Sequence, residues 1–412
     1  MVRKLDKEKS PIRSKKRNNT QSRNNRGLAA SVMTSVTSPL PLFLIGALGV
    51  MMREDLQVGP TQFGTAISSF MLAAALLAIP GGRFGDRVGP RRSMRLSAGM
   101  VCAGMLGIGL IANSFSLLII CLIVAGLGHG LSNTSTSLAI AQLVPENHHG
   151  IAFGLKQASV PMASFTAGLA VPLIGLTIGW RWAFIGTPIA FLIIFSLTRG
   201  LESEQKPLEI KVEKENQRLS LLLIAIATGL GVAAITSMLG FYVQSAVDRG
   251  TSVGTAGVFF AIGSLVAVPA RIFWGWLVDQ YDYSPLRVLT ALLVGGGIGF
   301  ALLGLVESST LLLIVTLTCF GVGWSWSGLV FLAATQESPN APATASGVVS
   351  AGSGIGGLTG PLLFGAVVEK WSYTPAWIMA SLWLILGSIT VSLIPRIQKY
   401  SYSDNYRNRN LV

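Results

Sequence analysis

The chain has 412 residues, of which 51% are hydrophobic and only 12% are charged, and its mean hydropathy is +0.59. Soluble domains carry about 25% charged residues, so this composition excludes a soluble globular protein of this length. The formal net charge of +13 could indicate nucleic-acid binding, but ten of the 31 Lys and Arg residues lie in 1–27 and most others lie in short segments between apolar runs. That distribution is typical of membrane topology, and we expect no nucleic-acid partner.

The basic segment 1–27 has almost no large apolar residues, which predicts a disordered tail that touches anionic lipid. The apolar run that starts at Leu28 is longer than 20 residues, too long for the hydrophobic core of a signal peptide. We therefore expect the first helix to be an uncleaved anchor.

Twelve apolar segments follow along the chain, and a helix needs about 20 residues to cross the hydrocarbon core. They lie near 28–51, 61–82, 93–113, 116–143, 151–176, 182–198, 219–243, 252–276, 286–306, 309–334, 343–367 and 374–395. The sixth segment is short, and Pro39 and Pro41 should bend the first helix. The pattern predicts an all-α integral membrane protein with twelve transmembrane helices.

A charged linker at 199–218 divides the twelve segments six and six. It predicts an N-terminal six-helix bundle over 28–198, a C-terminal six-helix bundle over 219–395 and a cytoplasmic tail at 396–412. The two halves also echo each other at an offset of about 193 residues, which predicts two pseudo-symmetric repeats. The matching positions are Gly82 and Gly275, Asp86 and Asp279, and Gly154 and Gly347.

Basic residues also predict the orientation, because short cytoplasmic segments carry an excess of Lys and Arg. If both termini are cytoplasmic, few basic residues outside the tails lie on the other side of the membrane. These residues are Arg53, Arg181, Arg249 and Lys370. We expect a multi-pass protein of the plasma membrane with its N-terminus and C-terminus in the cytoplasm.

The most hydrophilic stretch in the first apolar half is "GGRFGDRVGPRR" at 81–92, between the second and third segments. Gly82 and Gly89 permit a tight turn between antiparallel helices. Asp86 can pair with the neighbouring arginines or face the positive N-terminal end of a nearby helix.

This stretch resembles the signature loop of the major facilitator superfamily, G-x-x-x-D-[RK]-x-G-[RK]-[RK]. The matching residues are Gly82, Asp86, Arg87, Gly89, Arg91 and Arg92, with Pro90 inserted before the last two, and a weaker copy in the second half is Gly275 and Asp279. The resemblance covers about 28–395 and implies that superfamily's fold, with two six-helix bundles that rock about a central site. It also implies a latch in which Asp86 meets the eleventh helix and holds the cytoplasmic side closed. The alternative is a loop that only enforces topology.

Two cationic side chains lie inside predicted spans, where charges are costly and often functional. Lys156 lies in the fifth span and Arg271 in the eighth, each about five residues from the cytoplasmic end. Both can present positive charge to an anionic substrate, and a guanidinium suits a carboxylate. The Arg-x-x-x-Gly-x-x-x-Asp pattern that ends at Asp279 is similar to that of organic-anion carriers in the superfamily. Alternatively both cations are structural, and Asp279 neutralises Lys156.

Further candidate contacts come from the resemblance, because spans one, four, seven and ten line the cavity in this superfamily. His129 and Asn133 lie in a polar run of span four, and His129 is either a proton carrier or, as we favour, a packed and hydrogen-bonded histidine. Trp324 in span ten either contacts substrate or only packs. The predicted substrate-binding residues are Arg271, Lys156, Gln157, His129, Asn133 and Trp324.

Other signals are weak or absent in the sequence. The "GSGIGG" at 352–357 has no preceding strand, and Gly352, Gly356 and Gly360 recur at the spacing of close helix packing. No span contains a deep Asp or Glu, so proton coupling is not supported, and Cys102, Cys121 and Cys319 show no metal spacing. We expect no cofactor, no metal and no enzymatic activity, since no His, Asp or Glu cluster faces one compartment.

The resulting hypothesis is a monomeric secondary or facilitative transporter that sits in the lipid bilayer and moves a small solute by alternating access. A small organic anion is the favoured substrate. The first alternative is efflux of an amphipathic, drug-like solute. An alternative of another class is a membrane sensor that does not transport.

Overall fold

The computed structural model describes residues 25–144, 149–199, 218–281, 283–338 and 342–409. These residues form twelve helices and no strand, which confirms the all-α prediction for the described part of the chain. Eleven of these helices are long and apolar enough to cross a membrane, and the remaining one, Arg181–Leu197, is shorter, as predicted for the sixth span. Most of the predicted N-terminal tail and of the linker at 199–218 lies outside the described residues.

We number the helices α1 to α12 in chain order. The first half contains α1 (Asn25–Leu56), α2 (60–88), α3 (90–110), α4 (Phe115–Leu143), α5 (His149–Ala170, continued by a π-helical turn at Val171–Gly175) and α6 (Arg181–Leu197). The second half contains α7 (Arg218–Asp248), α8 (Val253–Tyr281), α9 (Pro285–Leu305), α10 (Ser309–Glu337, with a π-helical turn at Cys319–Gly323), α11 (Pro342–Lys370) and α12 (Tyr373–Arg409).

Local sequence explains several of these helix limits. The predicted bend in α1 is confirmed, since the helix is interrupted at Ser38 and Pro39 and resumes at Leu40. At the start of α4 the Ser114 side chain accepts a hydrogen bond from the Leu117 amide, which caps the helix N-terminus. The last helix runs to Arg409, past the predicted span end at 395, so much of the segment predicted as a tail is helical.

The loop predicted between the second and third spans is shorter than expected. The stretch Pro60–Leu110 is one run of helix broken only at Gly89, which has φ 80° and ψ 164°. The prediction of a turn is therefore right for Gly89 and wrong for Gly82, which is helical. Arg83 and Asp86 have opposite charges three residues apart, a spacing that favours a helix, and α2 continues past the apolar segment.

Close packing of small residues joins the helices. A Cβ atom at Gly352, Gly356 or Gly360 of α11 would overlap backbone carbonyl oxygens of α7, which confirms the predicted close packing of that glycine series. One connected set of buried apolar side chains spans both halves, from Leu42 in α1 to Ile394 in α12.

The two halves meet tightly at one membrane face, which we call the closed face, where α1 ends and α2 begins. A Cβ atom at Gly46 would overlap the Leu239 carbonyl oxygen of α7, and one at Gly64 would overlap the Pro361 carbonyl oxygen of α11. Only glycine permits these backbones to approach so closely.

Glycines of four helices are less closely packed at the opposite face, which we call the open face, where α2 ends and α11 begins. A Cβ atom at Gly154, Gly275 or Gly347 would have no neighbour within 4 Å, and one at Gly82 would meet only the Thr134 methyl group at 3.7 Å. These four glycines are the positions that match at the repeat offset. The described structure is therefore closed at one face and open at the other.

Candidate functional site

Arg271 of α8 lies between the two halves. Its Nη1 donates to the backbone oxygen of Gln157 in α5 at 3.2 Å, and its guanidinium carbon lies 4.8 Å from the Trp324 ring centroid in α10. Its Nε is buried and has no hydrogen-bond partner among the described residues. The guanidinium is thus oriented by a carbonyl and an aromatic face, while the hydrogen-bonding capacity of Nε is unsatisfied among the described residues.

Lys156 of α5 is nearly buried, at 8% exposure, and points toward α4. Its Nζ donates to the backbone oxygen of Asn133 at 3.0 Å and to Ser137 Oγ at 2.6 Å. Asp279 is exposed near the end of α8 and does not contact the lysine. In this conformation, neutral oxygens of α4 bind the ammonium group. The alternative prediction, in which Asp279 neutralises Lys156, does not describe this conformation.

The two cations share one electrostatic property. Neither Arg271 nor Lys156 forms an ion pair with any residue that the structure describes. The side chains of Asn133 and Gln157, next to them on α4 and α5, are exposed. A charge within a membrane is costly, and here neutral oxygens and an aromatic face are the partners of both cations among the described residues.

His129 of α4 is held by neighbours within the first half. Its Nδ1 lies 3.1 Å from Ser38 Oγ at the interruption of α1, and its ring stacks on Phe70 with a centroid distance of 5.4 Å. These contacts fit the packed, hydrogen-bonded histidine that we favoured over a proton carrier.

Trp324 is buried in an aromatic cluster beside Arg271. Its ring meets Phe43 of α1 edge-on at 6.3 Å and Phe320 of α10 at 5.6 Å. Phe43 was not predicted, although α1 lines the cavity in the fold that the resemblance implied. Of the six predicted substrate residues, the structure joins Lys156 to Asn133 and joins Gln157, Arg271 and Trp324 in a second group.

The predicted latch residues lie at the open face. Gly89 makes the turn, Arg91 is half-buried, and Asp86 and Arg92 are exposed. Asp86 has no hydrogen bond or ion pair with a described residue, so the predicted contact with α11 is not formed in this conformation. Arg87, Gly275 and Asp279 lie at the same face.

Sequence reasoning did not find a group of polar contacts at the closed face, which we call the closed-face clamp. Arg53 Nη1 of α1 donates to Gln244 Oε1 of α7 at 2.8 Å and to the Tyr373 hydroxyl of α12 at 3.3 Å. The Thr61 amide of α2 donates to Glu369 Oε2 of α11 at 2.8 Å. A signal for Glu369 was present, because a carboxylate ends α11 as Asp86 ends α2.

A bundle of twelve helices in two halves, closed at one face and cationic between the halves, is the architecture of a membrane transporter. The family model of the Major Facilitator Superfamily matches residues 30–350. The chain belongs to this superfamily, as its signature loop indicated.

Three curated relatives match most of the chain. A nitrite extrusion protein of Bacillus subtilis (strain 168) is 24% identical over 389 residues, which cover 90% of this chain and 94% of the relative. A chloramphenicol resistance protein of Streptomyces lividans is 24% identical over 352 residues, covering 82% and 86%. An MFS-type transporter of Mycobacterium tuberculosis is 24% identical over 381 residues, but the match spans 74% of this chain and only 64% of that relative.

A solved structure confirms the fold. A bacterial homolog of the human lysosomal transporter Spinster, described as inward-facing and occupied, superposes with a TM-score of 0.75 at 16% identity. The match covers 90% of this chain and 96% of that one. The twelve-helix, two-bundle fold of the superfamily is therefore the fold of this chain.

Proposed function

We propose that this transporter moves a small organic anion, which binds between the halves at Arg271 and Lys156. The observation that carries the proposal is the pair of cations that have only neutral partners among the described residues. A carboxylate can accept hydrogen bonds from the Arg271 guanidinium, and Lys156, the residue before Gln157 on α5, adds a second positive charge. The relative named for nitrite extrusion, also a small oxyanion, supports an anionic substrate.

The exposed amides of Asn133 and Gln157 are the proposed source of further hydrogen bonds to the anion. Trp324 stacks on the guanidinium from one side, which restricts the plane of the fork. We propose that His129 does not bind the anion directly and instead packs behind the site, because its Nδ1 already contacts Ser38 and its ring stacks on Phe70.

The proposed orientation has both termini in the cytoplasm of a plasma-membrane protein, because the basic residues concentrate on that side. The open face is then cytoplasmic, and the solute site communicates with the cytoplasm in this conformation. Transport would follow when the halves rock, closing the open face and opening the other.

The second candidate function is efflux of an amphipathic, drug-like solute. The observation that favours it is the aromatic cluster of Trp324, Phe43 and Phe320, which offers apolar surface beside the cations. The relative named for chloramphenicol resistance supports this candidate, since chloramphenicol carries no carboxylate.

Thermal unfolding of the purified protein with added solutes tests both candidates, since a ligand that binds the folded state raises its stability. The screen contains small carboxylates, nitrite, chloramphenicol and hydrophobic cations. We expect carboxylates to stabilise the protein, and Arg271→Ala to weaken that binding about ten- to hundredfold through loss of a charged hydrogen-bond donor. Arg287→Ala, an exposed arginine at the open face, is the matched control.

The opposite result would also be informative. Stabilisation by neutral amphipaths or bulky cations, equally strong in Arg271→Ala, would overturn the anion proposal and support efflux of amphipathic solutes. Arg271→Lys keeps the positive charge but loses the planar pair of guanidinium donors. An affinity for carboxylates between those of the parent and Arg271→Ala would show how much of the binding comes from the charge and how much from the donor geometry.

A further inference from the structure

The amino-terminal end of α2 has no side chain at its N-cap position, and its own Gln62 satisfies only the Gly59 amide, which donates to Gln62 Oε1 at 3.0 Å. Its N-cap residue is Gly59, where Ser, Thr, Asp or Asn usually supplies an oxygen for the first free amides. The Thr61 amide instead donates to Glu369 Oε2 of α11, at 2.8 Å. The second half therefore supplies the acceptor for the Thr61 amide, at the first turn of a helix in the first half.

The surrounding backbone is shaped to admit this carboxylate. A Cβ atom at Gly59 would lie 3.2 Å from Glu369 Oε2, so the absent side chain leaves room for the oxygen. One turn earlier on α11, a Cβ atom at Gly365 would overlap the Pro60 carbonyl oxygen. The two helices are thus in backbone contact at the point where Glu369 meets the positive end of the α2 dipole.

The helix pair has the same arrangement at its other end, but without the contact. Gly64 packs on Pro361, Met71 on Gly357 and Ala75 on Gly354, so α2 and α11 run antiparallel in a steady register. Continuing that register brings Asp86 level with the first turn of α11, as Glu369 is level with the first turn of α2. Asp86 is exposed and has no partner among the described residues, while Glu369 is engaged.

We infer that Glu369 is the gating residue of the closed face. Its carboxylate stabilises the closed arrangement by capping α2, and it must leave the Thr61 amide each time the halves separate at this face. The cap is lost on opening, so it shifts the equilibrium between the two transporter conformations rather than the stability of either half. This inference rests on the proposed alternating opening of the two faces and not on the identity of the solute.

The neighbouring contacts make Glu369 the point at which to test the gate. Arg53 also bridges the halves, but its partners are neutral side chains of α7 and α12. Glu54, at the end of α1, is an exposed carboxylate at the same face and makes no side-chain hydrogen bond with a described residue. It is the matched control for removal of a negative charge.

The test is labelling of an introduced cysteine from outside intact cells, without added solute. Ile67 of α2 is fully buried, and its Cδ1 packs against Gly240 of α7, so a cysteine there reports separation of the halves at the closed face. The three native cysteines are buried, and the parent protein without Ile67→Cys gives their background.

With Ile67→Cys as the reporter, we expect Glu369→Ala to raise the rate of maleimide labelling about two- to fivefold, the effect of removing one exposed carboxylate from a helix N-terminus. Glu369→Gln should raise it less, because the amide oxygen still accepts from Thr61. Glu54→Ala should leave the rate unchanged. Asp86→Asn combined with Glu369→Ala should return the labelling rate toward that of the parent. Glu369→Ala destabilises closure of the closed face, whereas Asp86→Asn destabilises closure of the open face, so the two effects on the equilibrium oppose each other.

Equal labelling in Glu369→Ala and Glu54→Ala would overturn the inference. Gel filtration and melting temperature identify a variant that has not folded, and the milder Glu369→Gln then provides the answer. If the anion proposal is wrong, carboxylates will not stabilise the protein in the thermal-unfolding screen. The labelling differences between the Glu369 and Glu54 variants would be the same in that case.

Discussion

The two ends of the α2–α11 pair are built from the same parts but are in opposite states. At the closed face the glycines touch the facing backbone and Glu369 caps the partner helix, whereas at the open face the glycines face open space and Asp86 is exposed. The difference shows that each end of the helix pair carries residues for a contact that forms in only one of the two conformations. A residue with no neighbours in one conformation still has a role when the other end opens.

The largest effect expected from this comparison comes from matched alanine substitutions in the two helices. Gly64→Ala places a Cβ against the Pro361 carbonyl oxygen and should destabilise the folded protein by about 1–3 kcal/mol. Gly347→Ala has open space and should be neutral or stabilise its helix by about 0.5–1 kcal/mol. Melting temperatures in detergent measure both, and equal temperatures for the two variants would contradict the assignment of closed and open faces.

A smaller effect is expected from two of the arginines at the closed face, Arg53 and Arg181. Arg53→Ala removes contacts between the halves and should favour opening by about 1 kcal/mol, near fivefold in the labelling of Ile67→Cys. Arg181 forms an ion pair with Asp55 and a hydrogen bond to Asn113, all within the first half, so Arg181→Ala should leave labelling unchanged. If both variants label alike, Arg53 does not join the halves in the membrane.

The smallest effect on stability is expected at Asp86. Because the side chain is exposed and without a described partner, Asp86→Asn should change the free energy of unfolding by less than about 0.5 kcal/mol. The same change should lower transport and speed labelling of cysteines introduced at the open face, since closure then lacks its carboxylate. Unchanged flux together with unchanged labelling would count against the latch.

Much of this fold could be predicted, because the bilayer imposes a length on every apolar segment. The twelve segments, the short sixth span and the bend at Pro39 all follow from hydropathy and proline chemistry. The extension of α2 through Asp86 was missed, since charged residues ended the apolar segment although their spacing still favours a helix. The π-helical turns within α5 and α10 were also missed, because an apolar helix carries little periodic contrast.

The sequence predicted which residues belong to the candidate site, but it did not predict which of them contact each other. A cation inside a span is visible in a sequence, so Arg271 and Lys156 could be found. That Lys156 turns toward Ser137, while the carbonyl of Gln157 meets Arg271, depends on the rotation of each helix about its axis. In a membrane, where apolar residues cover every side of a helix, the sequence constrains that rotation weakly.

Arg271 and Lys156, which have no counter-charge among the described residues, have an electrical consequence. A unit charge gains about 2.3 kcal/mol for each 100 mV of membrane potential that it crosses. In the proposed orientation the open face is cytoplasmic, and a potential that is negative in the cytoplasm would draw Arg271 and Lys156 toward that side and favour the conformation described here. Binding of one monovalent anion cancels part of that pull, so the loaded transporter would reorient against a smaller electrical barrier than the empty one.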